Sequence, residues 1–182
     1  ITGYASVTGN LDNPSVTGSV TSPEIVYGGA HFNSINAGFT IQNHILELTD
    51  TSIGDGDGAI TIEGTLDLNS NALNMRARAK AVRIENLIRP FSDVPLTGWF
   101  ESENEIQGTL DNPYVQGHVH LYDGSYNGKL ISDAKADYTL ENKILTLPKF
   151  TIQGYGAVIQ GSGTVSEDAL NIDLEGKDID IG

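Results

Sequence analysis

Two stretches of this chain carry one pattern in one register. Gly9-Asn10-Leu11-Asp12-Asn13-Pro14-Ser15-Val16-Thr17-Gly18-Ser19-Val20 returns as Gly108-Thr109-Leu110-Asp111-Asn112-Pro113-Tyr114-Val115-Gln116-Gly117-His118-Val119, an offset of 108 − 9 = 99 residues. The offset persists: Tyr27 and Gly29 match Tyr126 and Gly128, Ala37, Phe39 and Ile41 match Ala136, Tyr138 and Leu140, and Asn43, Ile45, Leu46 and Leu48 match Asn142, Ile144, Leu145 and Leu147. By Leu73-Asn74-Met75 against Leu170-Asn171-Ile172 it has fallen to 97, so the intervening loops have lost two residues. A repeat longer than the common solenoid periods predicts a multi-strand unit that stacks on its neighbours. The 182 residues then divide into units at 1–95 and 96–182, together one continuous elongated domain.

Within each unit the apolar residues recur with period two. Ala37-Phe39-Ile41, Ile60-Ile62 and Leu73-Met75-Ala77-Ala79-Ala81 alternate with polar neighbours, and so do Ala136-Tyr138-Leu140 and Leu170-Ile172-Leu174 in the second copy. That period puts one face of a strand in apolar surroundings and the other in water. Asp-Asn-Pro, Gly-Gly, Glu-Asn-Lys and Ser-Glu-Asp clusters supply turn chemistry between the strands. The fold class predicted is all-β, an antiparallel sheet. One segment departs from the period: Ile84, Leu87, Ile88 and Phe91 fall at helical spacing, predicting a short helix or capped loop near 84–91, whose counterpart would begin at Ile179-Asp180-Ile181.

Such a sheet has an apolar face to hide and no helices to cover it. It can fold on itself as a sealed β-sandwich, or curl partly and leave an apolar trough. Small residues at inward positions, Ala77, Ala79, Ala81, Ala134, Ala136, Gly64, Gly161 and Gly163, leave room for an apolar guest such as an acyl chain, or for tight packing of two sheets. If a groove forms, alternation assigns its lining to Phe39, Ile41, Ile60, Ile62, Leu66, Leu73 and Met75 in the first unit, and to Tyr138, Leu140, Ile159, Ile172 and Leu174 in the second. A slip of one residue would turn each of them outward.

Composition narrows the partners. Ten basic against 24 acidic residues give a net charge of −14 and a pI near 4.4, which argues against nucleic acid and anionic head groups as electrostatic partners. Apolar residues at 38% suffice for folding, and 21 glycines, about 12%, exceed the usual share of roughly 7%. There is no cysteine, hence no disulfide or thiolate chemistry, and no apolar run of the roughly 18 residues a spanning helix needs. The start at Ile1-Thr2-Gly3, without methionine or a signal peptide, suggests a piece of a longer chain.

Candidates for chemistry are few. Gly54-Asp55-Gly56-Asp57-Gly58, near Asp50 and Glu63, invites calcium, but an EF-type loop would need ligands where Ala59 and Leu66 stand, so a hairpin turn is the expectation. His118 and His120 lie two apart on a strand, with Asp123 across the turn as a conceivable third ligand; the first copy has Ser19 and Thr21 at the histidine positions, which favours solvent-facing histidines. His31 and His44 have no nucleophile and acid in recognisable spacing, and no catalytic or phosphate-loop motif occurs, so neither enzymatic activity nor a cofactor is expected. Asp12-Asn13-Pro14 and Asp111-Asn112-Pro113 read as structural turns, and the tyrosines as cross-strand packing partners rather than a sugar platform.

The composite pattern is Gly-x-Leu-x-Asn-Pro-x-Val-x-Gly-x-Val, a Tyr/Asp-Gly turn, Gln/Glu-Asn-x-Ile-Leu-x-Leu and a Gly-rich strand pair. Gly9–Val20, Ile41–Leu48 and Gly58–Leu68 carry it in the first unit, and Gly108–Val119, Leu140–Leu147 and Gly156–Val165 in the second. It resembles the C-terminal repeat region of the TamB translocation and assembly module family, within the AsmA-like group. The resemblance implies a curled, taco-like antiparallel sheet, polar outside and hydrophobic within. It further implies a periplasmic segment of an envelope protein of a diderm bacterium, held in the inner membrane by an N-terminal anchor outside this sequence. Its implied partners are phospholipid acyl chains and a BamA-like outer-membrane barrel protein, and its implied task is to move phospholipid between the two membranes. A related expectation is assistance to outer-membrane protein or autotransporter assembly. The alternative from another class is an adhesin or spacer of closed β-sandwich repeats with calcium or glycan binding at its loops.

Overall fold

A computed structural model describes residues 1–10 and 13–177 of the chain; Leu11 and Asp12 of the first motif, and Ile179-Asp180-Ile181 where a second helix is expected, lie outside them. The elements are β1 (Thr2–Asn10), β2 (Asn13–Ser22), β3 (Ile25–Tyr27), β4 (Ala30–Phe32), β5 (Ser34–Gln42), β6 (Ile45–Asp55), β7 (Gly58–Asp67), β8 (Ala72–Arg83), α1 (Ile84–Ile88), β9 (Leu96–Thr109), β10 (Pro113–Tyr126), β11 (Lys129–Glu141), β12 (Ile144–Gly154), β13 (Ala157–Val165) and β14 (Leu170–Lys177). Twelve strands form one antiparallel sheet in chain order, β1-β2-β5-β6-β7-β8-β9-β10-β11-β12-β13-β14, and β3 and β4 form a separate two-stranded sheet. The large sheet is open: among the described residues β1 and β14 each have a single neighbour. Its strands belong to one sheet rather than to two.

The turn chemistry explains the meander. Asn43 and His44 have φ of 50° and 63°, and Asn142 and Lys143, 99 residues on, have 50° and 61°. Two successive left-handed residues make a type I′ turn, whose twist matches that of the flanking strands. Gly28 and Gly29 (54° and 82°) and Asn127 and Gly128 (50° and 73°) repeat the device at the same spacing. The Asp-Asn-Pro motif also finds its role here. Asn13 Nδ2 donates to Asn43 Oδ1 at 2.5 Å and Asn112 Nδ2 to Asn142 Oδ1 at 3.1 Å, so each motif straps the adjacent hairpin turn.

The two halves differ at one hairpin. β10 and β11 run unbroken to the turn at Asn127-Gly128, whereas in the first half Pro23 stands where the second has Tyr122. Proline has no amide to give to a ladder, so the strand breaks there. The hairpin tip becomes β3–β4 and folds onto the segment after α1. Arg89 Nη1 donates to the Gly29 carbonyl at 3.3 Å, and a Cβ on Gly28 would strike Pro90.

This tip, with α1, packs against β6, β8 and β9. The buried apolar residues among those described are Ala30 of the tip, Ala79 and Val82 of β8, and Ile84 of α1. Asp55, 6% exposed at the end of β6, ties α1 down: Oδ2 accepts the Arg83 amide at 2.6 Å and Oδ1 accepts Asn86 Nδ2 at 2.9 Å. Asp55→Ala leaves two part-buried donors without this acceptor and should lower the unfolding free energy by about 1–2 kcal/mol. Urea titration followed by the fluorescence of Trp99, whose ring lies 4.8 Å from the Arg83 guanidinium, checks this.

Candidate functional site: the apolar face of the sheet

In an antiparallel ladder, residues directly opposite each other project from the same face. Following the register across the sheet therefore assigns every side. Val7↔Val16↔Ile41↔Leu46↔Leu66↔Leu73 crosses the first half, and Gly3↔Val20↔Ala37, Gly18↔Phe39↔Leu48↔Gly64↔Met75 and Ile53↔Ile60↔Ala79 lie on that same side. Met75↔Ile106↔Val115↔Leu140↔Leu145↔Val165↔Leu170 carries the face through the second half. Tyr138 pairs with Gly117, Ile159 with Ile152, Ile172 with Gly163 and Leu174 with Gly161.

All twelve sequence-assigned lining residues thus share one face. Phe39, Ile41, Ile60, Ile62, Leu66, Leu73, Met75, Tyr138, Leu140 and Ile159 are half-buried, while Ile172 and Leu174 on the edge strand are 42% and 66% exposed. Alternation alone did not name Leu46, Leu48, Ile106, Val115, Val119, Leu121, Phe150 and Ile152. Each is a register partner of a residue on this face, so the strand pairing was the missing signal.

Two expectations about small inward residues need correction. Ala81 does not continue the row Ala77-Ala79: its φ is 50°, the register shifts between Ala79 and Val82, and Val82 takes the inward place opposite Phe100. The glycines do not leave vacant room either. A Cβ on Gly64 would strike the Asn74 carbonyl, on Gly161 the Phe150 ring, and on Gly163 the Asn171 carbonyl and Ile172. Gly18 likewise lies under the Phe39 ring. These positions let strands approach and rings lie flat on the sheet.

The face is mainly apolar; besides Ser22 and Thr51 it holds a polar island. Tyr138 Oη donates to Asn104 Oδ1 at 2.8 Å, and Asn104 Nδ2 donates to Ser102 Oγ at 3.0 Å and to the Ala77 carbonyl at 3.4 Å. Burial pushes the Tyr138 hydroxyl above its ordinary pKa. The island lies where the two units meet, and every member has a partner.

The opposite face holds the charge. Glu63 bridges Arg78 at 3.3 Å and Arg76 at 3.6 Å, and Arg76 reaches Glu105 at 3.6 Å, so carboxylate and guanidinium alternate across β7, β8 and β9. His118 and His120 share this face. The acid that meets His120 is Asp133 on β11, with Nε2 2.7 Å from Oδ2, rather than Asp123, which sits exposed at a bulge with φ of 48°. Asp55 and Asp57 belong to the β6–β7 hairpin, and both Asp55 oxygens accept from protein donors. Among the described residues no three His, Cys, Asp or Glu side chains are placed to hold a metal ion, and no helix is long and apolar enough to cross a membrane.

Comparison with protein-family models, with curated proteins and with solved structures returns no match to this chain.

Burial pushes the Asp133 carboxyl up, but hydrogen bonds from His120 and Lys135 outweigh it and hold the group below its ordinary 3.8. A depressed carboxyl stabilises the fold fully above its unfolded value and loses that contribution as the pH falls through the folded one. Asp133→Asn should therefore cost about 1 kcal/mol near neutral pH and progressively less in acid, read as a urea-midpoint difference that closes as the pH is lowered.

Proposed function

We propose that this chain is a segment of a periplasmic lipid bridge, in which the sheet curls into a half-pipe of two repeated units and its apolar face forms the groove. The observation that carries this reading is the separation of faces. The register sets a mainly apolar face against a face that carries the ion pairs of Glu63, Arg76, Arg78 and Glu105. Eleven inter-strand spacings of about 4.8 Å make a track on the order of 50 Å long. Bulges at Asp50, Ala81 and Asp123, all at left-handed φ, supply the local bending and twist a curled sheet requires.

The energetics suit a lipid guest. Half-shielding an acyl chain of about 16 carbons recovers about 6 kcal/mol at roughly 0.8 kcal/mol per methylene. That holds a tail without fixing it in place. A net charge of −14 over the whole chain opposes adsorption to anionic membrane surfaces. With the resemblance to the TamB family, the reading extends to an inner-membrane anchor beyond this sequence and a BamA-like barrel at the far end. It assigns no bond-making chemistry to the chain. A second reading, a scaffold for outer-membrane protein or autotransporter assembly, draws on the unpaired outer edges of β1 and β14, which offer backbone donors and acceptors to a partner strand.

Photo-crosslinking side chains placed at Ile62 and Leu140 should capture phospholipid, and the same probes at Arg78 and Asp173 should not; equal capture at both pairs overturns the bridge. Ile62→Arg, which sets a charge in mid-track, should abolish lipid transfer between vesicles while the far-ultraviolet circular dichroism stays that of the parent. Capture of a barrel protein at Leu174 without lipid at Ile62 would favour the scaffold.

A further inference from the structure

The polar island is a place where the two units stop matching. At the 99-residue offset, Gly3, Ala5 and Phe39 of the first unit give way to Ser102, Asn104 and Tyr138 of the second. Around them Val16, Val20 and Ile41 keep apolar counterparts in Val115, Val119 and Leu140. The cross-strand row Ala5↔Gly18↔Phe39 thus becomes Asn104↔Gly117↔Tyr138. In the first unit the Phe39 ring lies over Gly18; in the second the Asn104 carboxamide lies against Gly117, and Tyr138 spans that glycine to reach it. The first unit builds the same row without polar side chains, so the ladder does not require them.

The donors and acceptors of the island do not balance. The Ala77 carbonyl can only accept, so Asn104 Nδ2 faces it and Oδ1 is the atom that takes the Tyr138 proton. Among the described residues Tyr138 Oη accepts from none, and Asn104 Oδ1 accepts from Tyr138 alone, which leaves lone pairs on both oxygens. The donor left over, the Ser102 hydroxyl proton, belongs to a side chain 6% exposed, whereas Asn104 and Tyr138 are half-buried. What a guest meets at this point is therefore a pair of acceptors.

We propose that this pair selects among the apolar guests of the groove, favouring chains that carry a hydroxyl or an amide N–H along their length over plain hydrocarbon chains. The inference rests on the groove reading above and adds the chemistry of the guest at one place. A plain chain laid across the island strips water from Tyr138 Oη and Asn104 Oδ1 and gives nothing back, whereas a chain with a donor replaces the lost hydrogen bond. The island stands at the junction, where Asn104 and Ser102 of β9 oppose Ala77 and Ala79 of β8. A guest moving from one unit to the other crosses the strand that carries it.

Methyl stearate and its mid-chain hydroxylated analogue, methyl hydroxystearate, differ only in the donor, and as neutral esters neither is repelled by the acidic chain. Delivered from cyclodextrin, each competes with a fluorescent acyl probe for the protein. The affinity ratio of hydroxylated to plain ester is then compared between the parent and Asn104→Ala/Tyr138→Phe, which gives the second unit the residues of the first. The ratio should be about five times larger on the parent, the factor one net hydrogen bond supplies. Tyr138→Phe alone removes one of the two accepting oxygens and keeps the ring, so it should give an intermediate ratio, and it serves where the double variant is unstable. Circular dichroism and the urea midpoint report folding separately. A network that serves only to pin the strands would lower the urea midpoint of the variants and leave their ratio equal to the parent's, which overturns the inference while the groove stands. Failure of the acyl probe and both esters to bind the parent overturns the groove reading and this inference with it.

Discussion

The structure rests on the backbone ladder between strands that are neighbours in the chain. In a globular domain a sheet's apolar face is sealed by a second layer, and cohesion comes from packing between layers. Here a hairpin tip and one short helix pack against part of the sheet, and the apolar side chains have same-face neighbours to shield them. That is why Phe39, Ile62, Leu73 and Leu140 are half-buried although they point away from the charged face. Stability is then close to a sum of unit and nearest-neighbour terms, as in other repeat architectures. Because the ladder pairs each strand of the large sheet only with strands adjacent in order, formation can begin at any hairpin and spread.

A sheet with an exposed apolar face is an aggregation hazard unless something limits its contacts. Two features of this chain act against that. The wet face concentrates acidic residues, and copies repel at long range when salt is low. The aromatic rings of Phe39 and Phe150 lie flat over Gly18 and Gly161, which lowers the relief of the apolar face and shields backbone that would otherwise be bare. Glycine-rich strands would be weak in a two-layer fold; in this one they are what permits a ring to cover its neighbour strand.

Much of this was readable from the residues. Period-two alternation put twelve chosen side chains on what the register shows to be one face, and the 99-residue offset recurs in β6 against β12 and in the paired I′ turns at Asn43-His44 and Asn142-Lys143. The failures have a common cause. Alternation cannot see a bulge, so it continued the alanine row to Ala81 where the chain inserts a residue and presents Val82. It also cannot see across strands. It therefore left open whether Gly64, Gly161 and Gly163 make room for a guest, when neighbouring rings and carbonyls occupy that space, and it offered Asp123 as a conceivable neighbour of the histidines where Asp133 meets His120 in space. The break at Pro23 was visible as a residue, but its consequence, a hairpin tip turned onto Pro90, depends on a segment more than sixty residues away.

That turned-over tip gives the molecule something the ladder cannot. A ladder couples each strand only to the two beside it, so local opening at one hairpin need not be felt three strands away. The cap couples across strands. Ala30 of β4, Val82 of β8 and Ile84 of α1 share one buried cluster, Asp55 of β6 reaches over β7 to the Arg83 amide, and the Gly98 amide of β9 donates to Glu85 Oε2 at 3.3 Å. Strands β6, β8 and β9, which span the junction of the two units, are thereby tied to one small core. The second unit has no such cap among the described residues, and its hairpin β10–β11 runs straight instead. The sheet is therefore reinforced at the junction of the two units, where β6, β8 and β9 share this core.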